Sequence, residues 1–597
     1  MSRYLHFTLG PVQSFVSQAR RTKDFWAGSF LLSFLSGVAM AATEEAGGTI
    51  LFPLPDKAYL NALRGEGNIR LRQGNVPNRF KAEVPDTFSP QVIVDTVNKV
   101  WRAIADTVWK NDLSAYEGTS TQTIWERQVG GFWEMTWAIS DNPEVSNLLD
   151  RRKNWRTHLP APEPGQKCAI MAGYQELSGE EMAQSKEQRA FWKKLRASKG
   201  NFDLDLAENE RLCALAFIKR RFVRYFDQLH VDLGDWAIKG WELSPNVPSV
   251  ALLAAAPWLA SVAKHPQIDD LIEAAKKLDA ACMPLSELKM LRESGNRDIL
   301  KLDGTVLFDT LLENRNIFPS KERAEIAKKA LRPLYKENVP SPFYAILMMD
   351  GDHLGVQMSD PKKQQPISEA LQRFTGEVDE VVDAFSGFLV YAGGDDVLAI
   401  LPLEDALDCA LELRKRYDDA FVNSGVETSI SAAVIFSHIK NPLHGVLHHI
   451  HELLDNVAKE RTGRDAIAIE TLKPGGVQQI WSKKWDDAIG AEGRLAIAKL
   501  CEAYRDQTES GQFSSGFFYR IREIMQIVEG VGSRQQQEAL LAVEYRAGTN
   551  IKQEEALKMI EPLLRQCTDE QGHIGADAAL IVRFLAQKEW KDENVSF

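Results

Sequence analysis

Three carboxylates carry the most specific chemistry in this chain. Asp350 closes the apolar, β-forming run 343–349 (FYAILMM), and Gly351 and Asp352 follow it. Beginning 43 residues after Asp350, the string Gly393-Gly394-Asp395-Asp396 separates 388–392 (FLVYA) from 397–402 (VLAILP). Gly-Gly supplies the positive φ that a tight hairpin turn needs, so these runs are predicted to pair. If the hairpin lies antiparallel beside 343–349, Asp395 and Asp396 come to rest next to Asp350. Carboxylates gathered in this way repel one another unless divalent cations neutralise them. Mg²⁺ or Mn²⁺ suits such a site, taking one or two carboxylates and completing its shell with substrate phosphates. Two ions about 3.5–4 Å apart activate a 3′-hydroxyl and stabilise a leaving pyrophosphate. The predicted chemistry is nucleotidyl transfer from a triphosphate substrate.

The phosphates need a cradle. From Gly351 through Asp352 and His353 to Gly355, the chain leaves a strand and enters helical sequence, where free N–H groups and the positive end of a helix favour an anion. A second helix, 443–460, has its apolar stripe at Val446, Leu447, Ile450, Leu453, Leu454 and Val457. His444, His448, His451, Asp455 and Lys459 fall on its opposite face. Lys459, followed by Arg461 and Arg464, is placed to reach a triphosphate. The histidines have the i, i+4 spacing of a transition-metal site, but on a polar face they read more simply as exposed or RNA-contacting groups.

The elements around these residues follow a readable order. After 343–349 come helical sequence at 366–384, the hairpin, a helix from Leu403 to about Tyr417, the strand 428–436, the helix 443–460 and the strand 466–472. This gives a βαββαββ order, a ferredoxin-like palm. Upstream, 4–9 reads as a strand broken by Gly10-Pro11, with helices around Trp26–Ala41 and Val92–Trp109. Short strands are predicted at Thr49–Leu54 and Arg79–Val84. The segment 124–140 is dense in tryptophan, which points to core or interface. Residues 250–300 read as helical, and so does everything after about 485.

Composition sets the outer bounds. With 597 residues, three to five domains are expected. The chain is 44% hydrophobic and 26% charged, an ordinary globular balance. No run approaches 18 uninterrupted apolar residues, and the N-terminus lacks a secretion signal, so no membrane span is expected. The cysteines at 168, 213, 282, 409, 501 and 567 are scattered without a CxxC pair, which fits a reducing cytoplasm. The net charge of −12 argues against indiscriminate nucleic-acid coating. Local basic grooves are still expected at Arg20, Arg21 and Lys23, or at Lys219, Arg220, Arg221 and Arg224; the plainer reading of each run is a solvated helix face.

Six segments together resemble a known family. They are 10–33 (GPVQSFVSQARRTKDFWAGSFLLS), 76–85 (VPNRFKAEVP), 210–222 (ERLCALAFIKRRF), 348–355 (MMDGDHLG), 391–402 (YAGGDDVLAILP) and 457–469 (VAKERTGRDAIAI). The family is the large palm subunit of type III CRISPR–Cas effector complexes, Cmr subtype (type III-B). The resemblance implies an α+β multidomain protein with two ferredoxin-like, nucleotide-cyclase-like palms. A mainly helical domain would lie between them, and a helical bundle would end the chain. In these terms 1–160 is a first palm, 161–300 the intervening domain, 301–480 the catalytic palm and 481–597 the C-terminal helices.

The resemblance also implies partners: other type III-B subunits, guide RNA and target RNA in a heteromeric ribonucleoprotein. Target pairing would switch on synthesis of cyclic oligoadenylate from ATP in antiviral defence. Asp350 and Asp395 would hold two Mg²⁺ or Mn²⁺ ions with Asp396 in support. Gly351–Gly355 and Lys459 would hold phosphates, with Gly393, Gly394 and Arg464 beside them. The opening 4–13 (YLHFTLGPVQ) resembles 344–355 (YAILMMDGDHLG) but has no carboxylate, so the first palm is expected to bind an acceptor without catalysing. Two departures from the family stand out. No His-Asp dipeptide occurs, so HD-type DNase activity is not expected. In addition, 167–173 (KCAIMAG) has Met171 where relatives carry the second cysteine of a zinc knuckle, so no structural zinc is expected there. The other readings are transfer of ATP to an acceptor such as S-adenosylmethionine, and a non-catalytic scaffold.

Overall fold

Strict alternation in the first strand sends Leu5, Phe7 and Leu9 into a core and leaves His6 and Thr8 on the opposite face. That pattern founds the first of two large sheets in the computed structural model. The structure describes residues 2–67, 72–142, 148–154, 162–182, 184–198, 205–244, 246–278, 287–336, 338–510, 515–529, 533–546, 552–569 and 571–586.

The first sheet contains β1 (Ser2–Gly10), β2 (Thr49–Phe52), β3 (Arg79–Pro85) and β4 (Glu134–Ser140), in the spatial order β2-β3-β1-β4. Helices α1 (Thr22–Glu45) and α2 (Gln91–Val108) pack together on its apolar face, and α3 (Ser120–Gly130) precedes β4. The tryptophan-rich segment therefore divides into a helix and an edge strand. Helix α1 has the length and apolar character to cross a bilayer, a feature that uninterrupted apolar runs do not reveal. Its most apolar 18-residue window is entirely buried in the fold, which makes it a core helix.

The middle of the chain contributes α4 (Lys186–Ala197), α5 (Ala214–Arg221), a small hairpin of β5 (His230–Asp232) and β6 (Ala237–Lys239), and α6 (Val250–Ser261). Here the expected basic grooves are overturned, and so is the solvated-face alternative. Arg220 is fully buried, its Nη2 donating to Asp24 Oδ2 (2.9 Å) and Glu210 Oε1 (2.9 Å). Arg221 donates to Asp112 (2.7 Å) and also pairs with Asp205. Lys23 and Arg224 reach Asp205 at 2.9 and 2.7 Å, and Arg21 reaches Glu210 at 3.1 Å. Lys219 Nζ donates to the carbonyls of Phe15 and Gln18 (2.7 and 2.8 Å). Arg20 is the most exposed member, 3.9 Å from Glu210. The two runs meet in one internal ion network that ties 205–224 to the start of α1.

The second sheet has six strands: β7 (Phe343–Gly351), β8 (Phe388–Gly393), β9 (Asp396–Pro402), β10 (Ile430–His438), β11 (Ala466–Lys473) and β12 (Gly476–Lys484). Their order is β12-β11-β10-β7-β9-β8; β10 and β11 are parallel and every other neighbouring pair is antiparallel. Helix α7 (Pro361–Ala384) starts five residues before the expected point, because Pro361 suits a first helical turn and Asp360 caps it. Helices α8 (Ala406–Phe421) and α9 (Leu443–Glu452) complete the unit. The helix expected at 443–460 does separate β10 from β11, although the shorthand βαββαββ leaves it out, and β12 had not been foreseen. The core β1–β4 and β7–β10 units have the same wiring, with the strands in spatial order fourth, first, third, second.

The chain ends in helices α10 (Ala496–Ser510), α11 (Ser515–Glu529), α12 (Arg534–Arg546), α13 (Gln553–Cys567) and α14 (Asp577–Ala586). Phe584 meets Phe343 and Phe436 edge-on or tilted, and Trp481 Nε1 donates to the Gln566 carbonyl (2.9 Å). One face of the second sheet is therefore continuous with the core of the C-terminal helices.

Candidate active site

The register between β7 and β9 decides the geometry. Met349 pairs with Val397, and the same register continued by one residue sets Asp396 opposite Asp350. Directly opposed residues in an antiparallel pair point to one face, so these two carboxylates share a side of the sheet. Gly394, at φ +68°, turns the hairpin and brings Asp395 over Gly351. A Cβ at Gly351 would lie 2.8 Å from Asp395 Cβ and 2.8 Å from the Tyr417 hydroxyl; only glycine allows this approach. Gly393 is constrained as well, since a Cβ there would sit 2.3 Å from the hydroxyl of Tyr391.

The electrostatics record the crowding. Burial, then Asp350, raises the Asp395 carboxyl from 3.8 to about 7. Asp396 is pushed well up by desolvation in the cleft, followed by Asp395 and Asp350, although its side chain is open to solvent. Asp350 is raised by burial against the opposing pull of Lys459, whose ammonium contacts its Oδ1. Asp455 adds further negative charge at Asp350 and Asp396. Tyr391 has its phenol held far up by burial, then by Asp396 and Asp395.

Lys459 reaches Asp350 through an irregularity in the helix. Beyond α9 the helix widens into a π-helical stretch, Leu453–Arg461, closed by Thr462 N–H donating to the Val457 carbonyl (2.9 Å). The widening changes which residues face inward: Ala458 is buried and Val457 only half-buried, where a regular helix would bury Val457. His444 and His448 are exposed, and His448 lies 3.4 Å from Glu452. His451 is half-buried, and its pKa is lowered by burial.

Asp352 has a different place from the one read in the sequence. It is buried, accepting from Ser429 Oγ (2.8 Å), Ser431 Oγ (2.9 Å) and Asp465 N–H (2.9 Å). Its N–H donates to the Ser429 carbonyl (2.8 Å), so it is unavailable to a phosphate. Asp352 thereby pins a turn in which Gly463, Arg464 and Asp465 all have positive φ. His353 is also left-handed, at φ +60°. The N–H groups of His353, Leu354 and Gly355 have no hydrogen bond among the described residues, and they follow directly after the carboxylate strand. Arg464 is half-buried in the pinned turn. Sequence reading did not assign a role to Ser429, Ser431, Tyr417 or Tyr391, although Tyr391 opens the segment 391–402; strand pairing brings in the serines and helix α8 brings in Tyr417.

Two metal questions can be tested on these donors. Among the described residues, no three His, Cys, Asp or Glu side chains form a ready-made cage. The carboxylates of Asp350, Asp395 and Asp396 still fit Mg²⁺ or Mn²⁺, as hard oxygens whose mutual repulsion a cation relieves and substrate phosphates complete. At 167–173 the fit fails for zinc. Cys168 Sγ accepts from the N–H groups of Ile170 (3.4 Å) and Met171 (3.3 Å), and the Cys213 thiol bonds to it. Glu210, on the same loop as Cys213, is held by Arg220. Two thiols and a thioether fall short of the usual four ligands.

Comparison with known proteins agrees with this picture. The family model for the second palm domain of Cas10/Cmr2 matches residues 343–468, and that for the N-terminal region of the CRISPR-associated protein Cmr2 matches 4–106. A Cmr system subunit Cmr2 from Pyrococcus furiosus is 25% identical over 81% of this chain and 63% of its own length, so this chain spans somewhat under two thirds of that relative. Two solved type III-B Cmr-beta structures, an apo state and one bound to cognate target RNA, share the fold. Their TM-scores are 0.67 and 0.64 at 14% and 13% identity, covering 99% of this chain and 82% and 83% of theirs. Both family models and the relative thus agree in what the chain is similar to: the Cas10/Cmr2 proteins.

Proposed function

We propose that this chain is the nucleotide-polymerising subunit of a type III-B effector complex, assembled with other Cmr subunits, guide RNA and target RNA. On target pairing it joins ATP, 3′ to 5′, into cyclic oligoadenylate. The observation that carries this reading is the convergence of Asp350, Asp395 and Asp396, with Lys459, at one end of the second sheet. Asp350 and Asp395 would hold two Mg²⁺ or Mn²⁺ ions, with Asp396 in support. Such ions, when bound, activate the attacking hydroxyl and stabilise the leaving group.

The chain's own residues do the rest. Lys459 is a compact cation that exchanges Asp350 for a phosphate as substrate enters. The N–H groups of His353, Leu354 and Gly355 face the same anion. Asp352 holds the strained turn beside them. Each linkage forms one P–O bond and releases one pyrophosphate. The shared wiring of the two sheets supports reading both as ferredoxin-like palms. Gly10 ends β1 where Asp350 stands near the end of β7, which supports a first palm that binds an acceptor without catalysing.

The test uses the assembled complex with target RNA and ATP, with and without S-adenosylmethionine, and identifies products by mass spectrometry. Cyclic oligoadenylate is expected from the wild type, and none from Asp395→Ala/Asp396→Ala. A wild-type complex that makes no nucleotide product would indicate a scaffold and overturn the reading.

A further inference from the structure

Because the basic runs at 20–23 and 219–224 are neutralised internally, the uncompensated positive charge of this acidic chain lies elsewhere. A cluster of it lies on helix α4. Its inner face is fixed: Ser185 caps it, Gln188, Trp192 and Leu195 are buried, and Gln188 and Trp192 donate to the buried Glu176 (3.2 and 2.7 Å). Its outer face presents Lys186, Arg189, Lys193 and Lys194, all exposed and none paired with a carboxylate among the described residues. Arg196 and Arg211 join them. Arg196 Nη1 donates to the carbonyls of Ala207 (3.3 Å) and Glu208 (3.0 Å), and Arg211 Nη1 donates to those of Glu208 and Glu210 (2.8 Å each). Backbone carbonyls orient a guanidinium without cancelling its charge. Burial, then Arg196, holds Arg211 below the usual arginine range, against the opposing pull of Glu176 and Glu208 and with Arg189 contributing.

This arrangement does not stabilise the helix. Lys186, Arg189, Lys193 and Arg196 fall within an arc of about 80°, and like charges at i, i+3 and i+4 spacing repel. Between the rows lie Ala190 and Ala197, which leave the face flat. No aromatic or large aliphatic anchor is exposed there, as a protein interface would need. A linear array of cations is sufficient for a chain of phosphates, and arginine forks match phosphate oxygens.

We propose that the outer face of α4, with Arg211, docks the phosphodiester backbone of a single-stranded nucleic acid. That it is RNA rests on the RNA-guided reading above; the surface itself reads phosphates.

The test measures binding of the full chain to a fluorescein-labelled, mixed-sequence, single-stranded RNA by anisotropy across a KCl series. Replacing Lys186, Arg189, Lys193 and Lys194 with alanine is expected to weaken binding at least about tenfold near 100 mM KCl and to make the slope of log K against log[KCl] shallower by about 2–3. The charge-preserving pair Arg189→Lys/Lys193→Arg is expected to bind as the wild type does. So is a control lacking four exposed lysines elsewhere, Lys264, Lys277, Lys321 and Lys329. DNA of the same sequence binding within about threefold of the RNA would support backbone reading.

A wild-type chain with no RNA affinity, an unchanged quadruple variant, or an equal loss in the control would overturn the proposal. Polyglutamate displacing the probe as well as unlabelled RNA does would also overturn it, in favour of an acidic protein partner. Asp395→Ala/Asp396→Ala is expected to bind RNA normally, which keeps this result separate from the catalytic one.

Discussion

A carboxyl such as Asp395, held near 7 against an ordinary 3.8, has a thermodynamic signature. Between those two values the folded state keeps a proton that the unfolded chain has released. The contribution of this group to stability is therefore greatest below about pH 4, falls as pH rises from there, and levels off above about 7. Asp395→Asn mimics the protonated form. In EDTA at pH 8 it is predicted to melt on the order of 2–4 °C above wild type, with the difference closing towards pH 4. A difference independent of pH would show that mutual repulsion among the carboxylates is not the cause. The same residues show what a sequence reveals and what it hides. Asp350, Asp395 and Asp396 were legible because strand, turn and glycine are local signals. Asp352 was misread because the groups that engage it lie 77 to 113 residues away.

At the scale of elements, the long central strands and helices were legible from their periodicity. The misses were edge strands. Strand β12 is exposed or half-buried along most of its length, and β4 is hidden in a tryptophan-rich segment; neither alternates cleanly. The π-helical stretch was also invisible, since a regular 3.6-residue repeat fits the apolar positions almost as well. It is what aims Lys459. Inserting one alanine after Asn456, which is exposed, adds a further residue to the stretch and should rotate Lys459 by about 80–100° away from Asp350. Nucleotide synthesis is then expected to fall about a hundredfold while the complex still assembles. Retention of full synthesis would mean that the widening has no part in placing the lysine.

At the scale of the whole molecule, the internal ion network was the largest error of sequence reading. Charge runs look like surface when their partners, Asp24, Asp112, Asp205 and Glu210, are dispersed along the chain. Removing one member leaves buried charges without a counterpart. Arg220→Leu is predicted to lower stability by about 3–5 kcal/mol in chemical denaturation. A loss below about 1 kcal/mol would place the network in the class of surface pairs.

The two rims of the second sheet have a practical consequence. A bare strand edge is a template for pairing with another chain. Along β8, the Ala392 N–H donates to the Gly74 carbonyl (3.2 Å), and Pro77 lies beside Gly394. Along β12, the indole of Trp481 and the ammonium of Lys483 are bonded to carbonyls of Gln566 and Thr568. The β8 rim is bridged by a distant part of the same polypeptide, and β12 is held through its side chains by the C-terminal helices. Cutting out the catalytic sheet alone would leave both rims open to self-association, so its solubility is a property of the entire chain.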